Sequence, residues 1–167
     1  VPILQGEHNL ENIAAAYGVS KIFNVPDETA LRILSDFKGV EFRMELIYEK
    51  GGIKIYNDTT ATTPSAAIQA IKYLGSKLIH HPGDLIVIAG GMNKNLDYSE
   101  FAKVIANDVR EVFLLEGDAT ELILSSLRGA KRRNNLSNFT INGPDNNLTH
   151  VLQNVRSIVK KGDIVLF

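Results

Sequence analysis

The stretch from Ile53 to Ala66 gathers the densest candidate chemistry in the chain. It holds one carboxylate, Asp58, set among the hydroxyls of Thr59, Thr60, Thr62 and Thr63. An ionised carboxylate only accepts hydrogen bonds, whereas a hydroxyl both donates and accepts, so the set suits a ligand carrying hydroxyl and anionic groups. A second group is Gly90-Gly91-Met92-Asn93-Lys94. Paired glycines let a ligand approach the backbone, and the Lys94 ammonium is a compact charge for a carboxylate or phosphate. A third group, His8, Asn9 and Asn12, sits at the start of a small-residue segment. Asn9 can cap a helix there, while Asn12 lies in a first turn for which Asn has little intrinsic preference. Arg43 reads by default as a solvated charge. His80 and His81 are adjacent, and adjacent side chains seldom converge on one metal ion, so they read as solvent-facing loop residues. His150 reads as structural, and Arg128, Lys131, Arg132 and Arg133 as a solvated basic loop.

The elements that must position these residues follow from periodicity and turn chemistry. Ile53 to Tyr56 alternates as a half-buried strand, and with Met44 to Tyr48 across Gly51-Gly52 it forms a hairpin. Thr63 is an N-cap and Pro64 a first helical residue, opening a helix expected to end by Gly75. Leu85 to Ala89 and Val112 to Leu115 are continuous apolar runs, as buried parallel strands are. Phe139 to Ile141 and Asp163 to Phe167 add two more strands. Helices are expected before Gly18, over Asp27 to Phe37, over Tyr98 to Ala106, up to Leu127, and over Leu148 to Val159. The alternation implies an α/β fold: a Rossmann-like, mostly parallel sheet with helices on both faces and one β-hairpin at its start. In such sheets ligands sit beyond the carboxyl ends of the strands, where Asp58, Thr60, Thr62, Gly90, Gly91 and Lys94 all fall. Asp58 and Lys94 are therefore expected to project from neighbouring strand tips into one crevice.

Composition narrows the classes. The chain has 167 residues, 44% hydrophobic and 22% charged, with a formal net charge of -1, which gives no electrostatic case for nucleic acid or an anionic membrane. There is no cysteine, which excludes disulfides and thiolate metal sites and fits a cytoplasmic protein. No apolar run approaches the roughly 20 residues of a membrane span. The chain opens on Val1 and closes inside the apolar run Ile164 to Phe167, so it is expected to belong to a longer polypeptide. The spacing G-x-x-x-x-G-K-[ST] of a phosphate-binding P-loop is absent.

Three segments, taken in order, resemble the Mur ligases, the ATP-dependent amide-bond-forming enzymes of peptidoglycan synthesis. They are Gly6-x-His8-Asn9-x-x-Asn12-x-x-Ala15-Ala16, then Phe42-Arg43-Met44-Glu45, then Asn57-Asp58-Thr59-Thr60-Ala61-Thr62-Thr63-Pro64 with Gly90-Gly91-x-x-Lys94. The third segment is similar to the branch that joins D-glutamate to UDP-N-acetylmuramoyl-L-alanine. The resemblance implies that residues 1–38 are the tail of a central ATP-binding domain and 39–167 a C-terminal Rossmann-like domain lacking its last segment. It implies that Asn12 contacts adenine, with His8 and Asn9 shaping the start of the helix. Arg43 would reach ATP phosphate or ribose, and Asp58 the ribose hydroxyls. Thr60, Thr62 and Lys94 would hold the incoming amino acid. ATP is the implied nucleotide, and Mg2+ is bound mostly by the central domain, with no metal ligand expected here. The implied reaction phosphorylates a carboxylate, and the amine of D-glutamate then attacks the acyl phosphate while domain closure excludes water.

Two residues depart from the family's usual wording. Thr60 stands where Lys is common, exchanging a cation for a neutral hydroxyl, and Phe42 stands where His is common. The resemblance also implies a monomer, and a fragment inactive by itself, because the P-loop lies upstream and a serine loop beyond Phe167. Two other readings stay open: a stand-alone nucleotide-binding or regulatory module, and a sister ligase such as a folylpolyglutamate synthase, against which Thr59 to Pro64 argues.

Overall fold

The computed structural model describes residues 7–79, 83–134 and 139–167, and of residues 7, 8 and 132–134 the backbone alone. The chain divides into two units, residues 1–41 and 42–167. In the first, α1 (Glu7–Ile22) and α2 (Asp27–Asp36) are joined by a short turn. α1 passes through Gly18, where a stop was expected. It ends instead in a Schellman motif: Asn24 takes φ 55°, Val25 N–H donates to Ser20 O at 2.9 Å, and Asn24 N–H donates to Lys21 O at 3.1 Å. Asp27 carries the turn by accepting from the Tyr17 hydroxyl at 2.9 Å and pairing with Lys21. Of α2 only Ala30 is buried, and Leu10, Ile22, Phe23, Leu31 and Ile33 are exposed.

In the second unit, β1 (Glu45–Lys50) and β2 (Ile53–Asn57) form an antiparallel hairpin closed by Gly51 and Gly52. Both glycines have positive φ, 63° and 81°, which a two-residue turn matched to strand twist requires. After it come α3 (Pro64–Leu78), β3 (Leu85–Ala89), α4 (Ser99–Asp108), β4 (Glu111–Leu115), α5 (Thr120–Asn134), β5 (Thr140–Asp145), α6 (Leu148–Ile158) and β6 (Ile164–Leu166). The sheet order is β1-β2-β6-β3-β4-β5, parallel throughout except for β1.

That order explains the two layers. The chain steps outward from β2 towards β5 and then returns to place β6 between β2 and β3. Right-handed crossovers put helices of outward and returning steps on opposite faces. Accordingly Ile71, Leu74, Ile105 and Leu127 of α3 to α5 pack on Leu85, Val87, Val112 and Leu166. Val151 and Val155 of α6 pack on Ile86, Ile88, Phe113 and Val165 of the other face. Successive residues of β3 thus enter different cores, which is why the run is apolar at every position. Burying each Leu or Ile contributes about 2 kcal/mol.

Two further expectations change. α3 continues three residues past Gly75, because a glycine inside a packed helix costs only about 1 kcal/mol. α5 runs to Asn134, so Arg128 and Lys131 lie on a helix, not in a loop. Lys131 Nζ donates to Phe139 O at 2.9 Å and sits 5.2 Å from that ring's centroid. The Arg132 and Arg133 side chains, and His80 and His81, lie outside the described residues.

Candidate functional site

Because β2, β3, β4 and β6 run parallel, their carboxyl ends share one edge of the sheet. A cleft of about 540 Å³ opens there, lined by Asp58, Thr62, Gly90, Gly91, Lys94 and Glu116 among others, over a floor including Ile71, Phe101 and Ile123. Asp58 and Lys94 thus line a common cavity. They do not stand on adjacent strands, however: β6 lies between β2 and β3. Its tip joins the site directly, since the Asp58 N–H donates to Phe167 O at 2.5 Å.

Each wall has a local cause. Thr63 caps α3, its Oγ1 accepting from Ala66 N–H at 3.3 Å with Pro64 in the first turn, so the helix opens onto the cleft. Glycine is demanded at 90 and 117 by crowding. A Cβ at Gly90 would lie 2.7 Å from Leu115 O, and one at Gly117 would lie 2.6 Å from Gly91 O. The loop after β3 is shaped by Asn93 Oδ1 accepting from Asn95 N–H at 2.8 Å, with Asn95 at φ 55°. Lys94 between them is exposed, as a solvent-facing cation is.

Asp58 is 8% exposed, and its Oδ1 accepts from Met44 N–H at 2.9 Å. Thr60 does not line the cleft. Its amide and its hydroxyl both donate to Phe42 O, at 3.1 and 2.9 Å. Arg43 is exposed, between Phe42 at φ 62° and Met44 at φ 48°. Such left-handed conformations cost a bulky residue on the order of 1–3 kcal/mol each and persist only where neighbours hold them. In the first unit, Asn9 and the exposed Asn12 lie within α1, with Asn12 Nδ2 at 3.5 Å from Asn9 Oδ1. Since Glu7 and His8 are already helical, Asn9 is not the helix cap. The His8 side chain lies outside the described residues. Glu116 was not anticipated, although its place directly after β4 obeys the same strand-tip rule that singled out Lys94.

Among the described residues no cluster of three His, Asp or Glu side chains could hold a metal ion, and no helix is long and apolar enough to cross a membrane.

The fold and cleft define a Rossmann-like α/β domain with an open cavity at the carboxyl edge of a mostly parallel sheet. Residues 42–167 match the family model described as "Mur ligase, glutamate ligase domain", and the chain belongs to the Mur ligase family. Similar proteins include the UDP-N-acetylmuramoylalanine--D-glutamate ligase of Roseiflexus sp. (strain RS-1), 36% identical over 98% of this chain and 32% of its own length. The protein of the same name from Caldanaerobacter subterraneus subsp. tengcongensis is 32% identical over 98% of this chain and 33% of its own. The chain therefore spans about a third of the length of these relatives. Among solved structures, the Thermotoga maritima UDP-N-acetylmuramate-alanine ligase matches with a TM-score of 0.70 at 18% identity, covering 98% of this chain and 34% of that one. The MurF ligase of the same organism, in complex with ADP, matches with a TM-score of 0.67 at 24% identity, covering 98% and 35%. These two likenesses speak to the fold alone.

Proposed function

We propose that the chain is the C-terminal part of an ATP-dependent ligase that joins D-glutamate to UDP-N-acetylmuramoyl-L-alanine in peptidoglycan synthesis. The observation that carries this reading is that the Asp58 carboxylate and the Lys94 ammonium line a single cleft of a Mur ligase domain. Relatives named for that reaction, matching across 98% of the chain, support the choice of D-glutamate.

In this reading Asp58 accepts hydrogen bonds from ribose hydroxyls. Holding the Met44 amide does not preclude it, because a carboxylate offers about four lone-pair sites. Arg43 reaches the phosphates or ribose of ATP, and Asn12 the adenine, with His8 and Asn9 shaping α1. Lys94 and Thr62 hold the amino acid, Lys94 as a point charge on a carboxylate. ATP phosphorylates the carboxylate of UDP-N-acetylmuramoyl-L-alanine and leaves as ADP. The amine of D-glutamate then attacks the acyl carbon, and the tetrahedral intermediate expels phosphate. Mg2+ would neutralise phosphate charge, and among the described residues no group of three His, Asp or Glu side chains is placed to hold it. Residues 1–38 are read as the tail of the central ATP-binding domain. The exposed Ile22, Phe23, Leu31 and Ile33 support this, as surface that a larger domain would cover. The whole enzyme is read as a cytoplasmic monomer.

The test is an assay of the full-length protein for ATP-dependent phosphate release with UDP-N-acetylmuramoyl-L-alanine and a panel of D- and L-amino acids. Turnover with D-glutamate above the others is expected. Turnover with another amino acid, or none, overturns the assignment.

A further inference from the structure

We infer that Thr60 is a positioning residue: with Asp58 it holds the strap Phe42–Met44 in the shape that presents Arg43 to the nucleotide, and it does not itself touch the amino acid. The inference rests on the nucleotide role proposed for Arg43. Its ground is a set of hydrogen bonds converging on three residues. Thr60 commits both of its donors to one acceptor, Phe42 O, its amide at 3.1 Å and its hydroxyl at 2.9 Å. Met44 N–H donates to Asp58 Oδ1 at 2.9 Å. Phe42 N–H donates to Glu45 Oε2 at 2.9 Å. Arg43 thus lies between two anchored neighbours, while its own exposed side chain makes no hydrogen bond or ion pair with the described residues.

The backbone shows what the anchors do. Phe42 at φ 62° and Met44 at φ 48° occupy a region that bulky side chains leave unless they are held. Releasing either end lets the strap relax towards extended backbone, and Arg43 turns with it. Asp58 and Thr60 are the first and third residues after β2, so the loop that brings Asp58 to the cleft also fixes the strap. With its one hydroxyl proton committed to Phe42 O, Thr60 cannot donate to a substrate carboxylate, and it does not line the cleft.

The experiment is a double-mutant cycle in the full-length protein with Thr60→Val, Thr60→Ser, Arg43→Ala and the Thr60→Val/Arg43→Ala pair. Each is read by ATP affinity in calorimetry and by KM for ATP and for the amino acid. Thr60→Val should weaken ATP roughly three- to tenfold, as one lost hydrogen bond does, and leave the amino-acid KM unchanged. Thr60→Ser should restore wild-type affinity, and in the Arg43→Ala background Thr60→Val should have no further effect. Additive losses in the cycle overturn the inference. A raised amino-acid KM with intact ATP affinity also overturns it, returning Thr60 to substrate contact. If Thr60→Val unfolds the protein, Thr60→Ala carries the same cycle. A protein that binds ATP without ligase turnover overturns the proposed reaction alone, and the ATP-affinity cycle still decides this point. ATP affinity indifferent to Arg43→Ala overturns the positioning role.

Discussion

Nη2 of Arg110 lies 3.1 Å from Oδ2 of Asp163, joining the start of β4 to the turn before β6 at the amino edge of the sheet, the end away from the cleft. Asp163 is almost fully buried and also accepts from Asp84 N–H at 3.0 Å and Lys160 N–H at 2.9 Å. Arg110 adds a hydrogen bond to Asp84 at 2.8 Å, and its Nε, at ion-pair distance from Glu111, makes no hydrogen bond. Burial opposes the Arg110 charge, yet the surrounding Asp84, Asp163 and Glu111 raise its pKa above the ordinary arginine value.

Asp163→Ala would strand two backbone donors and remove one acidic partner of Arg110, which keeps Asp84. It should cost about 2–6 kcal/mol, at about 1–3 for each stranded donor. Urea unfolding should show the loss, while KM values at a permissive temperature stay unchanged because the network is remote from the cleft.

Lys94→Ala in the full-length enzyme should raise the amino-acid KM by roughly tenfold or more, as loss of a charge-assisted hydrogen bond of about 1.5–3 kcal/mol would. The KM for ATP should hold. Asp58→Ala should do the reverse, raising the KM for ATP. Steady-state kinetics with each substrate varied in turn separate the two, and unchanged amino-acid kinetics in Lys94→Ala would remove that lysine from the site.

Gly117→Ala places a methyl 2.6 Å from Gly91 O, against backbone that cannot swing aside as a side chain can. The strain should cost about 1–3 kcal/mol and shift the loop that carries Lys94. A lower melting temperature together with a raised amino-acid KM is expected. A fall in stability alone would show that the loop tolerates the displacement.

The Asp145 carboxyl is held below its usual range, chiefly by the Asn147 N–H at 2.9 Å and also by His150. A carboxylate with a depressed folded-state pKa adds stability above its unfolded value, near pH 4, and that stability is lost as pH falls through the folded value. Melting temperature measured from about pH 3 to 7 should therefore fall at the acid end. Asp145→Asn should flatten that fall. Equal acid sensitivity in both proteins would assign the loss to other carboxylates.

What the sequence determined by itself is local. The apolar runs of β3 and β4, the Gly51-Gly52 hairpin and the Thr63-Pro64 helix start were all legible, because spacing and turn chemistry act over a few residues. Glycine misled where it was read as a stop: Gly18 and Gly75 stay helical, since a penalty of about 1 kcal/mol does not end a helix without a terminating motif such as the one at Asn24. Tertiary structure alone decided the rest. It set β6 between the strands whose following loops carry Asp58 and Lys94, brought Glu116 into their cleft, and tied Thr60 to Phe42 across 18 positions of chain. Strand order depends on which crossover buries which face, and the Thr60 bond depends on backbone shapes imposed from elsewhere. Neither is written in any short window of residues.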